Sequence, residues 1–514
     1  MTSNTAENNR RIAKNTVFMF FRMLILILVN LYASRIILEV IGVVDYGIYN
    51  AVGGMVIMFT MISNSLSSAI SRFITIELGY NNIDKLKKVF STCVIIEIVL
   101  ALILVVIAEI GGLWFLNNKM NIPVDRIVAA NWVFHCSIIT LVLNLLYVPY
   151  NAVIIAHEHM KAFAYVSIIE AILKLLIVFS LFFSPFDKLE SYAVLLVIVA
   201  IIIRVVYGVY CRKHFDECSF EWQCDKTLLK RMFCFSGWAF FTNSAYAFNT
   251  QGVNILLNLF FGITVNAARG ITVQIENVMN QFVTNFATAL NPQIIKYYAK
   301  QERESMFKLI CRGARFSYFL ALFIAIPCII ETPCILSLWL KTVPDYTVIF
   351  VRLALIGTMI NLLGNTSATA AMATGDIKLY TLVISGVGCL VFPLSYLLFY
   401  FDFPPETTYF VFIIIYSILV FLRIYVLKSI LDFPIMQFMK EVIFRIIPVT
   451  ILAIIFPSLL YYFLMDTISR LILVLIMSTV SIMVSIYIIG LEVDEKAKIA
   501  TKVRQLLGNF LLFR

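Results

Sequence analysis

Charge is scarce in this chain. Asp, Glu, Lys and Arg make up 14% of its 514 residues against 61% hydrophobic residues, and mean hydropathy is +0.93. Soluble domains average about 25% charged residues, so a water-soluble fold is excluded and an integral membrane protein is expected. Histidine is almost absent, at four residues, and the ten cysteines contain no CxxC pair. Cys93, Cys136, Cys234, Cys311, Cys328 and Cys389 sit in or beside apolar runs, where cysteine acts as a small hydrophobe. Cys211, Cys218 and Cys224 share a loop with His214 without zinc-ligand spacing, and His157 and His159 point to different sides of a helix, so the segment is read as a solvated loop. No metal site is expected. A sizeable loop outside the membrane is lacking too: the longest, about residues 331–346, offers no histidine and no cysteine beyond Cys334. That argues against a membrane-embedded glycan polymerase or ligase.

What is present is apolar length. A spanning helix needs about 20 residues, and fourteen runs meet this: 13–38, 48–76, 90–116, 127–154, 163–184, 191–211, 232–261, 265–291, 309–331, 347–373, 379–400, 407–428, 442–464 and 468–490. The first is too long for a signal peptide and lacks a small-residue cleavage site, so it counts as a span. With the amino terminus inside, 28 lysines and arginines fall in cytoplasmic segments and 5 on the other side. This places both termini in the cytoplasm and gives the net charge of +10 a topological meaning, with no nucleic-acid partner.

The eighth run breaks the apolar pattern. On a helix, Asn266, Arg269, Glu276, Asn277, Asn280, Thr284, Thr288 and Asn291 fall within an arc of about 120°. Ile271, Ile275, Val278, Met279, Phe282, Val283, Phe286 and Leu290 take the opposite side. Eight polar positions exceed what helix-to-helix hydrogen bonding needs, so the stripe reads as one wall of a hydrophilic cavity.

A hidden repeat extends that reading. Shifted by 220 residues, Gly42 falls on Gly262, Thr60 on Asn280, Asn64 on Thr284, Ser68 on Thr288 and Ser71 on Asn291; Asn30 falls on Thr250 and Ser34 on Asn254. Six spans separate the copies, which implies two parallel six-helix lobes, residues 1–220 and 221–430, followed by an extra helix pair, 431–490, and a cytoplasmic amphipathic tail, 491–514. The fold class expected is an all-α integral membrane protein of 14 transmembrane helices. Spans 1, 2, 7 and 8 are the polar members that face a central cleft. Spans 13 and 14 are free of charge between Ile446 and Asp466 and between Leu471 and Leu491, which suits lipid contact.

Seven basic residues lie within spans, Arg22, Arg35, Arg72, Lys174, Arg204, Arg269 and Arg352, against four acids, Glu97, Glu109, Glu170 and Glu276. Glu170 and Lys174 are i, i+4 neighbours and read as a structural pair. The guanidinium fork matches phosphate oxygens bidentately, and amides suit sugar hydroxyls, so the surplus of arginine points to an anionic, oxygen-rich substrate. The cavity residues expected are Arg22, Asn30, Arg35, Asn64, Arg72, Asn254, Arg269, Glu276, Asn277 and Asn280. Arg35, Arg72 and Arg269 lie near span ends, where snorkelling to the interface fits as well as substrate contact. Glu276 could pair with Arg269 or exchange a proton or cation.

The span count, the lobes and the segments Arg11-Ile12-Ala13-Lys14-Asn15-Thr16, Arg22-Met23-Leu24, Ser34-Arg35 and Asp45-Tyr46-Gly47-Ile48-Tyr49-Asn50 resemble Wzx-type polysaccharide flippases of the multidrug/oligosaccharidyl-lipid/polysaccharide exporter superfamily. The motif similarity is confined to about residues 11–54. The resemblance implies transport of an undecaprenyl-diphosphate-linked repeat unit across a bacterial cytoplasmic membrane, without a cofactor, with coupling to an H+ or Na+ gradient or to membrane potential. It implies lipid and polysaccharide-assembly partners. A multidrug extruder is the competing transporter, against which the extra helix pair and the arginine surplus argue; a scaffold for assembly enzymes leaves the polar stripe unexplained.

Overall fold

In a bilayer core an unpartnered backbone N–H or C=O costs several kcal/mol, so a chain this apolar must close its hydrogen bonds within helices. The computed structural model describes residues 2–60, 70, 74, 83–157, 159–221, 240, 244, 245, 247–374, 378–465 and 467–497, and no strand occurs among them. The chain is built on α1 (Thr2–Ile57), α2 (Ile83–Ile107), α3 (Ile127–Ala156), α4 (Met160–Ser180), α5 (Lys188–His214), α6 (Val253–Phe261), α7 (Ile263–Ala299) and α8 (Arg303–Ile330). It continues through α9 (Thr332–Trp339), α10 (Thr347–Leu362), α11 (Asn365–Ala373), α12 (Lys378–Gly388), α13 (Val391–Tyr400), α14 (Thr407–Leu431), α15 (Phe444–Phe463) and α16 (Ile468–Ser485).

Eleven helical stretches among the described residues are long and apolar enough to cross a membrane. They correspond to expected spans 1, 3 to 6 and 9 to 14, and the protein is a multi-pass membrane protein. The second and seventh spans fall partly outside the described residues. The eighth is α7, 37 residues long, whose amides make it the polar exception.

Two glycines carry the repeat into the backbone. Gly42, which bends α1 into two arms, has φ 82° and ψ 173°; Gly262, between α6 and α7, has φ 82° and ψ −171°. That region of dihedral space is essentially reserved for glycine, and the two positions are the ones the 220-residue shift superposes. The chain divides into two compact units, Met1–Gln274 with Trp339–Phe350 and Thr381–Ile415, and Ile275–Leu338 with Val351–Tyr380 and Tyr416–Arg514.

In the first unit, the second arm of α1 buries Ile48, Ala51, Val52 and Met55 against Leu104 of α2 and Ala130, Val133 and Phe134 of α3. Arg126 ties the start of α3 down by bonding Asp45 (2.5 Å) and Asp187 (2.6 Å), and Asp187 also caps α5 by accepting from Leu189 and Glu190 N–H. In the second unit, α8 is central and packs on α15 and α16. Ile446, Val449, Ala453 and Pro457 turn one face of α15 inward, while Ile447, Ile451, Phe456 and Leu459 remain exposed, the division a lipid-facing helix requires.

Several charges counted by sequence as loop residues are buried on helices of this unit. Arg315 of α8 is fully buried and bonds Glu492 (2.8 Å) and Glu495 (2.7 Å), and Arg470 meets Glu331 at 2.8 Å. The His157–His159 segment also differs from a solvated loop: His157 stacks on Phe215 at 4.3 Å and meets the buried Glu217 at 2.5 Å, because the chain after α5 folds back over it.

Candidate functional site

The motif from Asp45 to Asn50 supplies the parts for a close helix crossing in the first unit. Tyr46 and Ile48 are buried, Tyr49 meets Tyr192 edge-on at 5.1 Å, and Gly47 lies so close to Ile263 that any Cβ would collide with its backbone oxygen. A second close approach sits at Gly270, where a Cβ would meet the Asn50 amide at 2.6 Å. Asn50 and Gly270 are themselves 220 residues apart. A pair of repeat-equivalent residues in contact is what two-fold pseudosymmetry produces on its axis.

Around this crossing lies a buried amide core. Asn254 Nδ2 donates to Asn50 O at 2.9 Å, and Asn266 Nδ2 donates to Asn254 O and Oδ1, both at 2.7 Å. Asn258, fully buried, accepts from Asn121 N at 3.0 Å. Arg269 is 3% exposed, donates from Nη1 to Tyr409 Oη at 2.9 Å, and lies over the Tyr409 ring. The first turns of the α7 stripe are therefore packed. Further along α7 the stripe opens: Glu276 and Asn280 are half-buried and Asn277 is exposed, while Asn291 at the far end accepts from Thr369 Oγ1 at 2.8 Å. Among the described residues the polar face is thus buried before Gln274 and becomes more exposed after it, most of all at Asn277.

Arg22 behaves differently from Arg269. Its guanidinium lies 4.4 Å from the Phe163 ring centroid, its Nε is buried with no partner, and it forms no ion pair among the described residues. Close by in the first unit, Tyr147 stacks on Tyr207 at 5.2 Å, Arg204 lies 4.2 Å over Tyr150, and Lys174 and Glu170 pair at 2.7 Å as the sequence suggested. Arg35 is half-buried and Asn30 exposed on the same helix. Asn64, the repeat mate of Thr284, and Arg72 lie outside the described residues, as do Ser68 and Ser71, the mates of Thr288 and Asn291. Arg352 donates to Ile329 O at 2.9 Å and so closes the end of α8. Among the described residues no cluster of His, Cys, Asp or Glu could hold a metal ion.

Sequence reasoning missed Tyr409, Asn258, Asn121 and Arg423. Tyr409 and Asn121 come from distant segments that only the fold brings in. Arg423, counted with a cytoplasmic loop, lies within α14.

A family model of polysaccharide biosynthesis proteins matches residues 12–298. The chain belongs to this family. The match covers α1 through α7, the helices that build the crossing. No curated protein matches the chain. Among solved structures, the lipid II flippase MurJ in an inward closed conformation is similar at 11% identity and TM-score 0.71, covering 92% of this chain and 98% of that one. An inward-facing multidrug resistance MATE family transporter of the MOP superfamily is similar at 11% identity and TM-score 0.67, covering 79% of this chain and 94% of that one. The MATE multidrug transporter DinF-BH shows 16% identity and TM-score 0.58 over 82% of this chain and 95% of that one. The fold of this polysaccharide biosynthesis family member is thus that of MOP-superfamily transporters and flippases.

Proposed function

We propose that the protein is a flippase that moves undecaprenyl-diphosphate-linked oligosaccharide repeat units, destined for O-antigen, capsule or another surface polysaccharide, across the bacterial cytoplasmic membrane by alternating access of two six-helix lobes. Both termini are cytoplasmic in this reading, on the 28-to-5 charge bias. The wall of the cavity is made by Arg22, Asn30, Arg35, Asn64, Arg72, Asn254, Arg269, Glu276, Asn277 and Asn280. Arg22 engages the diphosphate, Asn254 and Arg269 hold the wall through their buried bonds, and the accessible amides of α7 meet sugar hydroxyls. Glu276 is the group for exchange with H+ or Na+, and the apolar faces of α15 and α16 serve lipid or the carried tail. Polysaccharide-assembly enzymes are the natural partners.

The observation that carries this reading is the Arg22 guanidinium: half-buried, resting on an aromatic ring, and in no ion pair among the described residues. A desolvated guanidinium with spare N–H groups is a site for an oxyanion. The test is transfer of a diphosphate-linked glycan in proteoliposomes. Arg22→Gln should slow transfer about tenfold or more, the loss of one charge-assisted contact of about 1.5–3 kcal/mol, and Arg22→Lys should retain an intermediate rate. Equal rates in a folded Arg22→Glu variant would remove Arg22 from the site.

A further inference from the structure

On an exposed apolar side of the first unit stands an ionisable pair. The regular helix of α2 gives way at Ala108–Gly112 to a wide π-helical turn, and a short helix, Leu113–Asn118, continues it. Such turns insert an extra residue and recur at functional sites. This one carries Glu109, about 14 Å from the Asn118 end at about 1.5 Å per residue. Its neighbours Val106, Ile107 and Ile110 are exposed, as are Trp132 and Ile139 of the facing helix α3, so this side of the helix pair faces lipid.

The two helices meet closely at Gly112, where a Cβ would come within 2.7 Å of the Phe134 ring. The next residue of α3, His135, stands opposite Glu109, with Nδ1 at 3.0 Å from Glu109 Oε1. Toward the helix ends a second rung follows, in which Asn117 and Asn131 exchange amide hydrogen bonds of 3.2 and 3.1 Å. A cavity of about 300 Å³ opens between Val105 of α2 and Ile138, Val142 and Leu143 of α3, with Glu109 and His135 in its wall. That volume is at the lower end of ligand pockets, which run from about 300 to 1,000 Å³.

Ionisable side chains within a membrane normally turn toward the bundle interior or a water-filled cavity, because lipid offers them no partner. A carboxylate and an imidazole on a lipid-facing side, bordering an apolar cavity, depart from that rule. A neutral imidazole that donates Nδ1–H to the carboxylate keeps a lone pair on Nε2, and the second carboxyl oxygen also accepts. Among the described residues neither group has another hydrogen bond or ion pair. Lys119, the next cation along this stretch, lies 5.9 Å from the Trp114 ring centroid at the helix end. The pair thus combines a negative charge, two acceptor atoms and an adjoining apolar space.

We propose that this cavity binds a primary ammonium carried on a single apolar chain, whose N–H groups donate to Glu109 and His135 while the chain lies along Val105, Ile138 and Val142. An ammonium has donors and no acceptor, so it complements polar atoms that only accept. An anionic head of the same length meets the Glu109 charge and is refused. None of these residues belongs to the proposed transport wall, so occupancy here is binding without transport and is independent of the flippase reading.

Native mass spectrometry of the full-length protein from nanodiscs counts bound molecules, with decylamine, decyltrimethylammonium, decanoate or decanol added at equal mole fraction. Decylamine should be retained about fivefold over decanoate and decanol, and decyltrimethylammonium, which has the charge without the N–H groups, should fall between. Glu109→Gln should lower decylamine retention about tenfold and His135→Phe about threefold. Val142→Phe fills the cavity, leaves the pair in place, and should lower retention of all four probes; melting temperature checks folding. Unchanged decylamine retention in folded His135→Phe and Val142→Phe, or in folded Glu109→Gln, overturns the site. Equal retention of decanol and decylamine by the wild-type protein overturns the ammonium assignment and leaves an apolar groove. Phosphatidylethanolamine, the same head on two chains, should compete poorly; displacement of decylamine by an equal mole fraction of it would contradict the single-chain assignment.

Discussion

Single residues set what this protein can bind and what it costs to hold together. Arg22 and Arg269 look alike in sequence, both basic and both inside apolar runs, yet one rests on Phe163 with a buried N–H unused and the other donates to Tyr409. That difference was invisible in the sequence, because Tyr409 lies 140 positions away. Glu97 poses the opposite question. It is fully buried in α2 and neither carboxyl oxygen has a partner among the described residues. A buried polar group left unbonded costs about 1–3 kcal/mol by mutational measures, so Glu97→Leu, close in volume, is expected to raise the melting temperature of the purified protein by a few degrees. A fall would show that the carboxyl is stabilised by its surroundings in the folded protein.

At the scale of elements, the helices were legible because an apolar run of about 20 residues in a bilayer has one backbone solution. The breaks were less so. Gly42 and Gly262 were aligned by the 220-residue shift, but their shared φ of 82° is a property of the chain path. A Cβ at Gly42 would meet nothing within 4 Å and at Gly262 only the Asn121 amide at an ordinary 3.5 Å, so the cost of substitution is conformational. Gly42→Ala and Gly262→Ala are each expected to destabilise the protein by about 1–3 kcal/mol, read as lower melting temperature, with similar size at the two equivalent positions. The stop at Leu362 and restart at Asn365 were missed because residues 347–373 read as one apolar run. The segment after α16 was likewise read by amphipathicity alone, whereas its first turn is fixed by ion pairs to α8. Burial alone would raise the Glu492 carboxyl, but the hydrogen bond and charge of Arg315, aided by Arg445 and Arg312, hold it below its ordinary value near 4.5. A carboxyl depressed in the folded state stabilises above the ordinary range and loses that contribution as pH falls through the lowered value. Acid titration of stability should therefore show a loss below about pH 4.5 that is blunted in Glu492→Gln; identical acid profiles would remove this clamp from the account.

For the whole molecule, composition set the class before any helix was placed: too little charge for water. Eleven membrane-capable helices among the described residues and a MOP-superfamily fold agree with that class. The cargo is a different matter, because arginine and asparagine recognise phosphate and hydroxyl generically, and the same fold serves drug exporters and lipid flippases. The direct measurement is transfer by the purified wild-type protein in proteoliposomes, offered an undecaprenyl-diphosphate-linked oligosaccharide or a lipophilic cation in parallel. The account predicts protein-dependent appearance of the glycan on the far leaflet and no accumulation of the cation. Cation transport by folded protein that leaves the glycan where it started would contradict it.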